Sequence, residues 1–339
     1  MSELYNHTFD RAAMRPTPRT WVKHSLLLLL TLFTATIAGV LQPFVIIEIF
    51  PQADPQSWTE IFQFLVSLPS HYAQLVFSTI YRIFTELTVL QFGLSFSLSL
   101  LFILIAHESG HYIACRIYGV DATLPYFIPT PPLIGPAGTF GAFIKIVSPM
   151  PSRRAVFDIG VAGPIAGFVA LIPVAIIGFL TMQQFEPSPR TGAEIGIYFS
   201  DPLLLKALAP FFGINLEMPI APNPFYAAAW IGLLVTALNL FPSGQLDGGH
   251  ALYAVFGEKT HFWSGRITFL IMAILAISGW FIYNSPSGFL FAVLLGVMMR
   301  VPHPEPYDDT PLDFNRKLIA IITVLIFVLC FVPFPIQIR

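Results

Sequence analysis

The stretch Leu101-Phe102-Ile103-Leu104-Ile105-Ala106-His107-Glu108-Ser109-Gly110-His111-Tyr112-Ile113-Ala114-Cys115 sets two histidines and a glutamate inside an otherwise apolar run. The run extends from roughly Val89 to Ile117, enough for one crossing of a bilayer, which takes about 20 mostly apolar residues. An ionisable group at the centre of such a segment costs about 2.5–3.5 kcal/mol, so its presence there points to function. The fold and the chemistry are therefore read from the same residues.

The rest of the 339-residue chain agrees with a bilayer setting. Hydrophobic residues make up 55% and charged residues 11%, against about 25% charged in a soluble domain. Mean hydropathy is +0.72. This composition excludes a disordered chain and argues against a soluble enzyme, and a net charge of −2 gives no reason to expect a nucleic-acid partner. The two cysteines, Cys115 and Cys330, lie in apolar runs and imply no disulfide framework.

Apolar runs predict an all-α polytopic membrane protein of six to seven transmembrane helices. They fall at about Ser25–Ile47, Val89–Ile117, Val156–Met182, Phe225–Val255, Ile267–Tyr283, Gly288–Met299 and Leu318–Phe331. The segment Trp58–Leu87 is amphipathic and reads as an interfacial helix or as the start of a long second span. Ser25–Ile47 is too long for the apolar part of a cleavable signal and reads as a retained anchor. Arg11, Arg15, Arg19 and Lys23 precede the first span, and Arg116, Lys145, Arg153, Arg154, Lys259, Arg266, Arg300, Arg316 and Lys317 flank later connections. With seven spans, that pattern puts the N-terminus and the His107 end of the second span on the cytoplasmic side. The expected organisation is a tail over 1–23 and one membrane domain over 24–339. Within it, the proline-rich connection Tyr118–Pro151, including Pro136, is expected to hold a short membrane-associated β-hairpin, with a strand-like run at Ala142–Val147.

Histidines at i and i+4 lie one turn apart on one face of a helix, so His107 and His111 can reach one ion. The H-E-x-x-H pattern assigns Glu108 as general base. Two ligands and an open position describe an incomplete catalytic zinc site, which lacks a third protein ligand. Asp247, in Asn239-Leu240-Phe241-Pro242-Ser243-Gly244-Gln245-Leu246-Asp247-Gly248-Gly249-His250, is the sole acid of the fourth predicted span. Counted from the outer ends of their spans at 1.5 Å per residue, Asp247 and His107 fall at comparable depth. Pro242, Gly244, Gly248 and Gly249 would unwind the helix beside Asp247 and let its carboxylate turn inward. Plainer readings exist: paired histidines as interhelical hydrogen-bond partners, and Asp247 as a kink residue satisfied by backbone. His250 reads as a supporting or interfacial residue rather than a fourth ligand, and Cys115 as an apolar helix residue. Gly163, Pro164 and Gly167 read as a small face packing against the second span.

These motifs resemble those of the site-2 protease family of intramembrane zinc metalloproteases. The resemblance rests on His107-Glu108-Ser109-Gly110-His111 and on Asn239, Pro242 and Leu246-Asp247-Gly248-Gly249. Between them it continues through Gly141-Ala142-Phe143-Ile144-Lys145-Ile146 and Asp158-Ile159-Gly160-Val161-Ala162-Gly163-Pro164. It is strongest over Leu98–Gly257 and nearest to the bacterial and plastid branch without a PDZ module. It implies one Zn²⁺ held by His107, His111 and Asp247, with Glu108 as the base and Asn239 holding the oxyanion. It also implies cleavage of transmembrane protein substrates, in a bacterial cytoplasmic membrane with the active site toward the cytoplasm. The competing classes are a metal-ion transporter and a proteolytically silent membrane binding protein. Transport calls for ligands at several depths or an alternating-access repeat, neither of which is evident, and a silent protein would have no need of Glu108.

Overall fold

The computed structural model describes residues 16–41, 57–185 apart from 134 and 136, and 197–338 apart from 219, 302 and 304. Among the described residues, four helices are long and apolar enough to cross a membrane. They are α1 (Pro18–Leu41), α3 (Leu87–Ile117), α4 (Arg153–Leu180) and α8 (Glu258–Tyr283). Between α1 and α3 lies α2 (Trp58–Thr85). Shorter helices complete the bundle: α5 (Leu203–Leu208), α6 (Pro224–Asn239), α7 (Asp247–Phe256), α9 (Ser287–Met298) and α10 (Phe314–Cys330). The predicted fourth span is thus not one helix. It is α6 and α7, parted at Leu240–Leu246, so the count of six to seven crossings does not follow from these helices. Residues 42–47 of the first predicted span, Pro136 and most of the predicted tail lie outside the described residues.

Side-chain caps fix several starts. Asn223 Oδ1 accepts from Phe225 N and Tyr226 N ahead of α6, with Pro224 at its first position. Ser152 caps α4 through Ala155 N and Asp313 caps α10 through Arg316 N, satisfying amides that have no partner within the helix. The amphipathic segment is a single helix ending at Thr85, separated from α3 by the extended Glu86. Its Trp58, Phe62, Leu65, Phe77 and Phe84 are exposed.

The core forms where α3, α4 and α6 pack together, around Leu100, Leu101, Ile103, Leu104, Leu171, Val174, Ala175, Ala228, Ala229 and Leu233. In a bilayer, lipid is as apolar as leucine, so association depends on close fit. Small residues supply it. A Cβ on Gly93 would lie 2.7 Å from the Thr36 carbonyl of α1, and one on Gly110 would overlap the Ala162 carbonyl of α4. A buried hydrogen bond of 2.8 Å joins Thr36 Oγ1 and Ser97 Oγ across α1 and α3. The outward side chains of α8, including Ile267, Ile271, Ile274 and Phe281, are apolar, as a lipid-facing surface requires.

Two small antiparallel sheets decorate the bundle. Strand β1 (Tyr126–Pro129) pairs with β2 (Thr139–Phe143), with Tyr126 opposite Phe143. The strand starts and ends earlier than the run expected at Ala142–Val147. Beyond Phe143 the chain continues along residues 121–123 instead, through Thr123 N to Lys145 O and Val147 N to Asp121 O. In the second sheet, β3 (Ile197–Phe199) pairs with β4 (Ile336–Ile338). Nearby, Tyr226 donates to Asp201 (2.5 Å) and Trp230 Nε1 to the Ser200 carbonyl (2.9 Å), tying this region to α6.

Candidate metal centre

Helix α3 delivers His107, Glu108 and His111, all buried. Helix α6 ends at Asn239, because Pro242 cannot continue its hydrogen bonding. The chain then turns through Gly244, whose φ of 55° is left-handed, and α7 begins at Asp247. The crossing is tight: a Cβ on Gly248 would overlap the Leu240 carbonyl, and one on Gly249 the Gly244 carbonyl. Glycine is therefore required where the broken ends pass each other, and the break turns Asp247 toward α3.

Asp247 Oδ2 lies 3.3 Å from His107 Nε2 and 3.3 Å from His111 Nε2, while the two Nε2 atoms are 3.1 Å apart. Among the described residues these three form the one group of histidine, cysteine and acidic side chains spaced to hold an ion. Their chemistry fits a divalent cation. His111 Nδ1 lies 2.7 Å from the Ile159 carbonyl, and a carbonyl can only accept, so Nδ1 carries the proton and the Nε2 lone pair points at the shared centre. Two imidazoles and a carboxylate leave a fourth tetrahedral position open, the arrangement of catalytic rather than structural zinc sites.

The centre opens on a cavity of about 270 Å³ lined by His107, Glu108, Asn239, Asp247, Ile144 and His250, among others. Glu108 is 4% exposed. Asn239 Nδ2 lies 3.2 Å from His107 Nε2, which puts the amide at the same centre. His250 sits on the cavity wall, and its Nδ1 faces His303 Nε2 at 2.7 Å rather than the three donors. Cys115 is buried among Ala114, Val120 and Val156, in an apolar cluster.

Several contributors went unread in the sequence. The Ile159 carbonyl that orients His111 is a backbone atom of an apolar residue and leaves no trace in composition. Gly163 and Gly167 do pack against α3, but against the face that carries His107 and His111. A Cβ on Gly163 would overlap the His111 imidazole, and one on Gly167 would come within 3.2 Å of His107 Nδ1. The spacing of Gly160, Gly163 and Gly167 along one face of α4 was the available signal. His303 approaches His250 from a loop 53 residues away, a distance no local pattern spans.

A model of peptidase family M50 matches residues 95–279, more than half of the chain. The chain belongs to peptidase family M50. The match takes in α3 from residue 95 onward and the whole of α4, α6 and α7, and with them every residue of the centre. The protein is 30% identical over 257 residues to a probable zinc metalloprotease of rice (Oryza sativa subsp. indica), EGY2, chloroplastic, covering 74% of this chain and 45% of the relative. It is 28% identical over 257 residues to the Arabidopsis thaliana EGY2, covering 74% and 44%. With the Arabidopsis thaliana EGY1 it shares 28% over 236 residues, covering 68% and 41%. The chain spans less than half the length of these relatives. They are chloroplastic by name, so they give no support to the bacterial cytoplasmic membrane expected from the sequence.

Proposed function

We propose that the protein is a zinc-dependent intramembrane endopeptidase that hydrolyses peptide bonds in or near transmembrane segments of other membrane proteins. The observation that carries this reading is the meeting of His107, His111 and Asp247 within 3.3 Å, with Glu108 one residue along α3 and lining the same cavity. The relatives' names support zinc as the ion. A zinc ion bound there supplies Lewis acidity, which lowers the pKa of a coordinated water to about 7.

The chain's own residues do the remainder. Glu108 accepts a proton from the attacking water and returns it to the leaving amine. The Asn239 amide donates to the oxygen that becomes negative as the carbonyl is attacked, in a site where exclusion of bulk water strengthens that interaction. Burial of Glu108 limits the bulk water that can compete at the reacting bond.

A helical substrate hides its peptide bonds and must be extended first. The segment Ile144–Val147 supports a route. Lys145 and Val147 bond back toward residues 121–123 through Thr123 Oγ1 and Asp121 O. Ile144 and Ile146 alternate with them and line the cavity. An extended substrate would pair along this edge beside Glu108, a β-augmentation. The basic residues Arg116, Lys145, Arg153, Arg154, Arg316 and Lys317 favour a cytoplasmic or equivalent positive face for this end of the molecule.

The deciding experiment measures bound zinc and cleavage of a labelled membrane-spanning peptide in detergent, for the wild type and Glu108→Gln. Retained zinc with cleavage abolished is expected. Unchanged cleavage would reject Glu108 as the base, and zinc flux into sealed vesicles would favour transport instead.

A further inference from the structure

A second polar cluster sits one residue from the backbone that orients His111. Arg316, near the start of α10, makes a two-pronged contact with Asp158 of α4: Nε to Oδ1 at 2.9 Å and Nη2 to Oδ2 at 2.6 Å. Tyr118, the residue that caps the C-terminus of α3, donates its hydroxyl to Asp158 Oδ2. Arg316 Nη2 also reaches the Tyr118 oxygen at 3.2 Å, and its Nη1 pairs with Asp313. Three helices therefore meet on one carboxylate.

The position of that carboxylate matters. Asp158 directly precedes Ile159, whose carbonyl fixes the His111 tautomer. Tyr118 follows His111 by seven residues, two turns along α3. The links close a ring, from His111 along α3 to Tyr118, across to Asp158, through one peptide to Ile159, and back to His111 Nδ1. Rotation of α4 about its axis would move Asp158 and the Ile159 carbonyl together. The fork of Arg316, planar and bidentate, resists such rotation in a way a single point charge does not. The partners are about a quarter exposed, at 24% and 26%, so net stabilisation from the ion pair itself is small. Its geometric consequence is not.

We propose that Arg316 is a positioning residue for the metal centre, holding through Asp158 the Ile159 carbonyl against His111. This inference rests on the proposed metal-dependent reading. Loss of a partner that orients a ligating histidine typically costs about 10–100-fold in metal affinity, and a loss in that range is the effect expected here.

The test uses the full chain in detergent, loaded with Co²⁺ for its d–d absorption and titrated against a chelator with Zn²⁺. Arg316→Gln is expected to weaken zinc binding about 10–100-fold and to alter the Co²⁺ spectrum, with Arg316→Lys restoring only part of both. Tyr118→Phe, which spares the ion pair, should give a smaller change in the same direction. Leu205→Ala, fully buried in α5, supplies the control for general destabilisation. If Arg316→Gln weakens metal binding no more than Leu205→Ala at a matched melting temperature, or leaves the Co²⁺ spectrum unchanged, the inference is overturned. A wild type that binds neither metal would instead overturn the proposed function.

Discussion

Gly163 lies so close to His111 that any Cβ on it would occupy the space of the imidazole. The ring is thereby clamped between an absent side chain and the Ile159 carbonyl. In Gly163→Ala, His111 must leave its place, and zinc affinity is expected to fall about 10–100-fold or more. Gly167→Ala meets His107 at 3.1–3.5 Å, a contact that a small shift relieves, so its loss should be clearly smaller. Chelator competition on the two variants checks the order; equal losses would contradict it.

Asn239 is expected to act on the transition state. Asn239→Ala should leave zinc content intact and lower kcat about 10²–10³-fold, the effect of removing one oxyanion donor. The alternative follows from its 3.2 Å approach to His107: if metal is lost along with activity, the amide orients the ligand instead.

Leu233 of α6 is fully buried where α3, α4 and α6 meet. Leu233→Ala removes contacts without reaching the metal centre. Its unfolding free energy should drop by about 2–5 kcal/mol, measured by thermal or denaturant unfolding in detergent, while zinc stoichiometry at low temperature stays unchanged.

Asp313 caps the start of α10. The Arg316 backbone N–H at 3.0 Å, helped by the Arg316 guanidinium, holds its carboxyl below the ordinary value. A carboxyl depressed on folding contributes stability that is present above its unfolded pKa of about 3.9 and is lost as pH falls through the folded value. Hydrogen exchange in the first turn of α10 should therefore quicken in strong acid. Asp313→Asn keeps a capping side chain and should flatten that dependence; an unchanged acid response in the variant would assign the effect elsewhere.

Much of the site was legible because it is local. His107, Glu108 and His111 are fixed relative to one another by helical periodicity alone. The break beside Asp247 was written in Pro242, Gly244, Gly248 and Gly249, whose backbone demands need no partner to be recognised. The count of apolar residues failed for Phe225–Val255, since it does not register where a helix stops. The strand-like run expected at Ala142–Val147 is overlapped only at its start by β2, which ends with its β1 partner at Phe143.

By itself the sequence determined that this chain carries helices long and apolar enough to cross a bilayer, which helix sets His107 and His111 on one face, and which distant acid was available to join them. Only the tertiary structure decided that the Ile159 carbonyl orients His111, that Gly163 and Gly167 make room for the two imidazoles, and that Arg316 reaches Asp158 across 158 residues of chain. The division has a physical cause. Periodicity and turn chemistry act over a few residues and are written in residue type. Backbone carbonyls and the space left by a missing Cβ take on meaning only when packing brings another helix against them.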